Sequence, residues 1–367
     1  MITISLCMIV RNEEHTLHRC LESVREVADE IIIVDTGSTD RTREIAAGFT
    51  SLVYEFTWID DFAAARNYSF AQATQEYIMW LDADDVIDEL DRRKLLQLKE
   101  TLDPAVNSVS MNYHLIYDEA GTPAFTLRRN RLVRRERQFR WIGAVHEYLD
   151  VHGPYLYADI AVRHRKEKAY TDRNLRIYQK RFEAGEPFTP RDVYYFANEL
   201  RDHGRYERAI EQYERFWADG QGWVEDRIAS CLKLAHCYAQ IGEQEKRVQA
   251  LLRSFLLSIP RPEVSCQLGA YFMERRQWEQ AKYWYEQALA PANQQDGGGM
   301  VDMASRTWLP HLQLCVCFDK LGDYEQASLH NEKAAAYKPD HPSVLYNRSY
   351  FEKLHQQQLA ERPGHNI

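Results

Sequence analysis

No stretch of about 18 consecutive apolar residues occurs in this sequence, so no transmembrane helix is expected. The opening residues, MITISLCMIVRNEE, are apolar but lack the basic start and small-residue cleavage site of a signal peptide. They read as a buried strand, and the chain as cytoplasmic. Cysteine is sparse. The 7 cysteines are scattered and none forms a C-x-x-C pair, which removes the usual spacing of a structural zinc site. Reduced, buried thiols fit a cytoplasmic protein better. A basic domain is missing as well. The formal net charge is −9, without the footprint of a nucleic-acid binder, so no nucleic-acid partner is expected. The local exception is Arg128, Arg129, Arg131, Arg134 and Arg135, a run that reads either as a solvated face or as an anion-facing one.

What is present falls into two halves, as 367 residues allow. Over residues 1–170 strands and helices alternate. Residues 2–10, 30–35, 52–56 and 76–81 read as strands, with 15–27 and 62–75 as helices and Ser38-Thr39-Asp40 capping another. Near-continuous apolar strands separated by helices imply an α/β, Rossmann-like, mostly parallel sheet covered on both faces. Ligands of such sheets bind at the carboxyl ends of the strands, where Asp35 and Asp82 lie. Residues 171–190 read as a helical linker, and 191–360 as an all-α domain. There Gly204-Arg-Tyr-Glu-Arg-Ala, Gly242-Glu-Gln-Glu-Lys-Arg, Arg276-Gln-Trp-Glu-Gln-Ala and Gly322-Asp-Tyr-Glu-Gln-Ala share one pattern. A period near 34 residues resembles tetratricopeptide (TPR) repeats, with the loop at 293–299 absorbing the excess in the last interval.

Acidic residues cluster at the predicted strand ends: Asp35 and Asp40 flanking Thr-Gly-Ser-Thr, Asp60-Asp61 before Arg66-Asn67, and Asp82-Ala83-Asp84-Asp85. Three carboxylates within four residues repel one another, and a divalent cation relieves that repulsion. Oxygen ligands select Mg²⁺ or Mn²⁺, and such an ion can neutralise charge on a departing phosphate. The Asp35 segment reads both as a turn with a helix cap and as a carboxylate offered to a base or ribose. Arg66 suits a phosphate neighbour. Trp141 reads either as a stacking surface for a sugar or acceptor, or as a core tryptophan.

Residues 4–14 (ISLCMIVRNEE), 31–42 (IIIVDTGSTDRT), 57–67 (TWIDDFAAARN), 80–85 (WLDADD), 139–147 (FRWIGAVHE) and 162–164 (VRH) together resemble glycosyltransferase family 2, of GT-A fold, across the first 165 residues or so. With the TPR-like tail, the pattern is similar to the sublancin-type peptide S-glycosyltransferases. The resemblance implies a UDP-sugar donor, lined by Val10 and Arg11, with Asp35 and Ser38 at the uracil or ribose and Arg66, Asn67, Asp82 and Ala83 beside the donor. It implies Asp82 and Asp84 as the D-x-D pair, Asp84 being the closer metal ligand, and His164 as a further ligand. His146-Glu147 stands where many members carry Glu-Asp, which leaves open which of the two takes the acceptor's proton.

The expectation is therefore an inverting, metal-dependent transfer from a UDP-sugar to a peptide or protein side chain (Cys, Ser or Thr). A cell-envelope glycan or lipid-linked acceptor is the alternative, and the repeats could equally build a homodimer. A catalytically degenerate TPR adaptor is the reading of another class, against which stands the joint presence of Asp35, Asp82, Asp84 and Glu147. A nucleotidyltransferase would place a basic Gly-rich loop near the N-terminus, where no glycine occurs.

Overall fold

β1 (Ile4–Val10) is a β-branched run buried along nearly its whole length. Ile4, Leu6, Met8 and Val10 face one hydrophobic core and Cys7 a second, as the two-residue period of a strand requires. In this computed structural model, which describes residues 1–118, 121–167, 171–291 and 299–361, β2 (Glu30–Asp35), β3 (Val53–Glu55) and β4 (Tyr77–Trp80) extend β1 into a parallel sheet. α1 (Leu17–Val24) carries Leu17, Cys20, Leu21 and Val24 as one apolar stripe into the first core, which also takes Ala46 of α2 (Thr42–Ala47). α3 (Phe62–Ala71), N-capped by the Asp61 carboxylate on the Ala64 amide, lies on the other face. The helix expected over 62–75 ends at Ala71. The next residues are drawn toward the sheet, the Thr74 amide by Glu30 and the Gln75 amide by the Ser5 hydroxyl.

Beyond β4 the sheet is mixed. β5 (Asp85–Val86) leads into α4 (Glu89–Thr101), whose Leu95 joins the first core. Then come β6 (Ser108–Tyr117), β7 (Pro123–Arg134), the hairpin of β8 (Arg140–Ile142) and β9 (Tyr148–Asp150), and β10 (Tyr155–His164). The order is β3-β2-β1-β4-β7-β6-β10-β5, with β7 antiparallel to both its neighbours. α5 (Arg173–Glu183) and most of α6 (Pro190–Asp202) complete this first compact unit, which runs from Met1 to Glu199. The segment read as a linker is thus held within that unit, the Tyr178 hydroxyl donating to the Val145 carbonyl.

The second unit is helical: α7 (Tyr206–Asp219), α8 (Val224–Gln240), α9 (Gln244–Arg253), α10 (Pro262–Glu274), α11 (Trp278–Leu289), the short α12 (Met303–Arg306), α13 (Trp308–Lys320), α14 (Tyr324–Ala335) and α15 (Pro342–Glu361). Helices α8 with α9, α10 with α11 and α13 with α14 pack as hairpins. The repeated motif starts at the turn before α7, α9, α11 and α14. Gly204, Gly242 and Gly322 take the left-handed conformation that ends the preceding helix, and Arg276 takes it at the corresponding place with φ +57°. All but the last residue of the loop at 293–299 lies outside the described residues.

Candidate active site

The chain leaves β4 at Trp80 and turns at once through Asp82-Ala83-Asp84-Asp85. The turn closes on itself, the Asp85 amide donating to the Asp82 carbonyl and the Asp82 amide to an Asp85 carboxylate oxygen at 3.0 Å. Asp85 is wholly buried. It also pairs with the wholly buried Arg131 at 3.0 Å and accepts from the Tyr113 hydroxyl at 2.9 Å. Arg131 in turn lies between the rings of Trp80 and Tyr113, 3.9 and 4.5 Å from their centroids.

Arg66 of α3 is the second buried cation. Its Nη2 meets Asp82 Oδ1 and its Nε meets Glu147 Oε1, each at 2.6 Å. The Trp80 and Trp141 rings, edge-to-face with each other, both pack against the guanidinium, at 4.9 and 4.8 Å. Part of the charge that the sequence left for a divalent cation is therefore neutralised from within, by Arg66 and Arg131. Burial alone would raise the Asp82 pKa, but these two guanidiniums outweigh it and hold it at about 2.

His164, the last residue of β10, returns to this turn. Its Nδ1 lies 3.4 Å from Asp84, 3.6 Å from Asp85 and 3.0 Å from the Tyr113 hydroxyl. Burial alone would lower its pKa, and the bonds to Asp84 and Asp85 instead push it up to about 10. Asp84, Asp85 and His164 each offer an atom within 4.8 Å of the others. Asp85 is committed to Arg131, Tyr113 and the turn, so Asp84 and His164 are the side chains that would hold an ion, His164 giving up its ring proton to do so. One carboxylate and one imidazole fit a Mn²⁺- or Mg²⁺-type site completed by a substrate's oxygens.

The other predicted residues are placed as follows. The Val10 carbonyl accepts from the Thr36 amide, joining the tips of β1 and β2. The Asp35 carboxylate turns into its own loop, accepting from the Ser38 amide at 3.1 Å, and the Ser38 hydroxyl accepts from the Asn12 amide. These bonds stitch the loop after Arg11 to the loop after Asp35 at the strand ends. Ala83 is buried inside the acidic turn. Asn67 is used within the fold, and of the two readings of Trp141 the structure keeps the core one. Asn67 does not reach the carboxylates: its amide both donates to the Trp141 carbonyl and accepts from the Trp141 amide, at 2.9 Å each, which fixes β8. Trp141 is only 4% exposed and packs edge-on against Trp80 and Phe70, so it offers no open face to a sugar. The acidic pair 60–61 is also structural, Asp60 bonding Trp58 and Lys180 while Asp61 caps α3.

The loop Gly143–Glu147 joins β8 to β9 and presents His146 and Glu147. His146 adopts φ +51°. Its Nε2 meets the Glu199 carboxylate of α6 at 2.7 Å, and its ring stacks on Tyr195 at 4.3 Å. Arg191 donates to the His146 carbonyl at 3.0 Å. Arg173, at the start of α5, lies in the field of Arg11, Glu147, Glu13 and Glu199. Burial, then Arg11, lowers its pKa against the pull of the three carboxylates. Sequence reasoning missed Tyr113, Arg173 and Glu199, counted Asp85 among the carboxylates awaiting a cation, and left Arg131 inside a surface-like run of arginines.

Residues 5–149 match the model of glycosyl transferase family 2. A TPR repeat-containing protein of Synechococcus elongatus is 31% identical over 76% of this chain and 63% of its own length. The SPbeta prophage-derived glycosyltransferase SunS of Bacillus subtilis is 27% identical over 58% of this chain and 53% of its own. The lipopolysaccharide core biosynthesis glycosyltransferase LpsC of Rhizobium meliloti is 30% identical over 36% and 52%. The chain thus spans between half and two thirds of the length of these relatives. Among the described residues no helix is long and apolar enough to cross a membrane. The matched model, the sheet order and the repeated helical hairpins agree: residues 5–149 are similar to a glycosyl transferase family 2 domain, and an array of TPR-like repeats follows in the chain.

Proposed function

We propose that the chain is an inverting, metal-dependent glycosyltransferase that moves a sugar from a UDP-sugar to a peptide or protein side chain. The observation that carries this reading is the meeting of Asp82 and Glu147, far apart in sequence, on the single guanidinium of Arg66, beside Asp84 and His164. Asp84 and His164 would hold the Mg²⁺ or Mn²⁺, and the ion when bound supplies charge stabilisation to the departing diphosphate. Arg66 keeps Asp82 ionised and holds both Asp82 and Glu147 in place, in a site walled by Trp80 and Trp141 where electrostatic interactions are strong. Val10, Asp35 and Ser38, joined at the tips of β1 and β2, would meet the nucleoside, with Arg11 next to Val10 in the chain. The acceptor's proton passes to the His146-Glu147 loop as its nucleophile attacks the anomeric carbon.

A peptide acceptor is supported by the helical hairpins of the second unit and by an open groove there lined by Leu312, Val316, Tyr346 and Asn347. The likeness to a lipopolysaccharide core glycosyltransferase favours a glycan acceptor as the second reading. The test is UDP release by purified protein from a panel of UDP-sugars, with intact-mass analysis of candidate peptides. UDP release that needs Mn²⁺ or Mg²⁺ and is abolished in Asp84→Ala supports the reading. Near-normal activity of that variant with Mn²⁺ present would defeat the metal assignment.

A further inference from the structure

We infer that His146 is the group that accepts the acceptor's proton, and that Glu199 of α6 is its positioning residue. The inference rests on the sugar-transfer reading and deepens it, because the sequence leaves open whether His146 or Glu147 takes the proton. Geometry separates them. The Glu147 side chain is 11% exposed and gives Oε1 to Arg66 at 2.6 Å. A proton on either oxygen of that carboxylate removes the charge that pairs with Arg66 in a buried site, leaving Asp82 as the charge opposite Arg66. Its evident work is to hold Arg66.

His146 is built the other way. Its side chain is 31% exposed, so an acceptor can reach the ring, whereas the Glu199 behind it is 2% exposed. A carboxylate at 2.7 Å from Nε2 keeps the proton on that nitrogen and leaves Nδ1 as the acceptor. Among the described residues Nδ1 has no hydrogen-bond partner. The same carboxylate stabilises the imidazolium once it forms, as in other histidine–carboxylate pairs. The ring plane is set by stacking on Tyr195 at 4.3 Å, and Glu199 is steadied by the Asn174 amide at 3.3 Å. The backbone is strained in the same place. A histidine at φ +51° persists because Arg191 holds its carbonyl and Tyr178 holds that of Val145. Arg173 is in the field of both Glu199 and Glu147, which places the dyad beside the Arg66 cluster and not on a remote surface.

The step balances without a further reactant. The nucleophile's lone pair forms the bond to the anomeric carbon, the bond from that carbon to the diphosphate oxygen breaks, and its electron pair leaves with UDP. The nucleophile's proton moves to His146 Nδ1, and Glu199 balances the resulting charge.

The experiment measures UDP release from UDP-glucose and UDP-N-acetylglucosamine with Mn²⁺, with a panel of Cys-, Ser- and Thr-containing peptides supplied as acceptors, for the full chain and for His146→Ala, Glu199→Gln, Glu199→Asp and Glu147→Gln. The dyad requires kcat to fall about 10²-fold or more in His146→Ala and Glu199→Gln, with donor KM nearly unchanged. It requires partial recovery in Glu199→Asp, and a double variant His146→Ala/Glu199→Gln no worse than His146→Ala. Glu199→Gln keeps the side chain's shape, and its melting temperature reports whether the unit stays folded. A kcat for folded Glu199→Gln within about threefold of wild type overturns the inference. So does loss of turnover in Glu147→Gln alongside an active His146→Ala, which leaves sugar transfer standing with Glu147 as the base. A wild-type chain that releases no UDP from either donor overturns the sugar-transfer reading, and the dyad with it.

Discussion

Arg66→Ala tests whether the site is organised around one buried cation. The variant leaves the Glu147 carboxylate, 11% exposed, and the Asp82 carboxylate, 35% exposed, without their partner. Removing one member of a buried ion pair costs about 3–5 kcal/mol. Water reaches more than a third of Asp82 and screens its share, so the lower end, about 3 kcal/mol, applies. The lost contact with the two indoles adds about 0.5–1 kcal/mol each. Urea unfolding of the first unit, followed by tryptophan fluorescence, reads this out. The cause is isolated by Arg66→Ala/Glu147→Gln, which replaces the stranded charge with a neutral amide and should regain about 1–2 kcal/mol. The pH dependence has a fixed sign. Arg66 and Arg131 hold the folded-state pKa of Asp82 below its ordinary 3.8, at about 2, so the pair's contribution is complete above about pH 4 and is lost as pH falls toward 2. The gap between wild type and Arg66→Ala should narrow over that interval by the share that Asp82 contributes. A gap under about 1 kcal/mol at neutral pH, or a double variant no more stable than the single one, refutes the reasoning.

Two further predictions concern the helical repeats. Arg276 holds φ +57° where three repeats have glycine, so Arg276→Gly should remove about 1–2 kcal/mol of backbone strain and keep a net gain of about 0.5–1 after the added freedom of the unfolded chain. An unchanged or lowered melting temperature contradicts this. Gly269 lies against Tyr285, and a Cβ there would sit 2.8 Å from the ring. Gly269→Ala should therefore cost about 1–3 kcal/mol through displacement of a buried tyrosine, whereas a loss below about 0.5 would show that the hairpin yields easily.

The strands that carry the site were legible because each is a short apolar run bounded by charge, and a parallel sheet buries such runs on both faces. The repeats were legible because the turn between paired helices needs a left-handed residue, and glycine marks it at Gly204, Gly242 and Gly322. Partners brought together by long-range folding were not. Asp85 looks like its neighbours in Asp-Ala-Asp-Asp, yet it alone is sealed against Arg131, on a strand whose other arginines read as surface charge. Glu199 lies 53 residues from His146 in a segment with only a helical pattern, so no local spacing could join them. Trp141 illustrates the reverse error. An aromatic beside a motif invites a substrate role, but the cation it packs against is the protein's own Arg66.

The most direct test of the account is a Mn²⁺ titration in the presence of UDP, followed by electron paramagnetic resonance, for wild type, Asp84→Ala and His164→Ala. The account predicts that wild type binds Mn²⁺ at a single tight site, and that both variants, folded as judged by circular dichroism, lose most of that binding. Equal Mn²⁺ binding by all three proteins, or none by wild type, would contradict it.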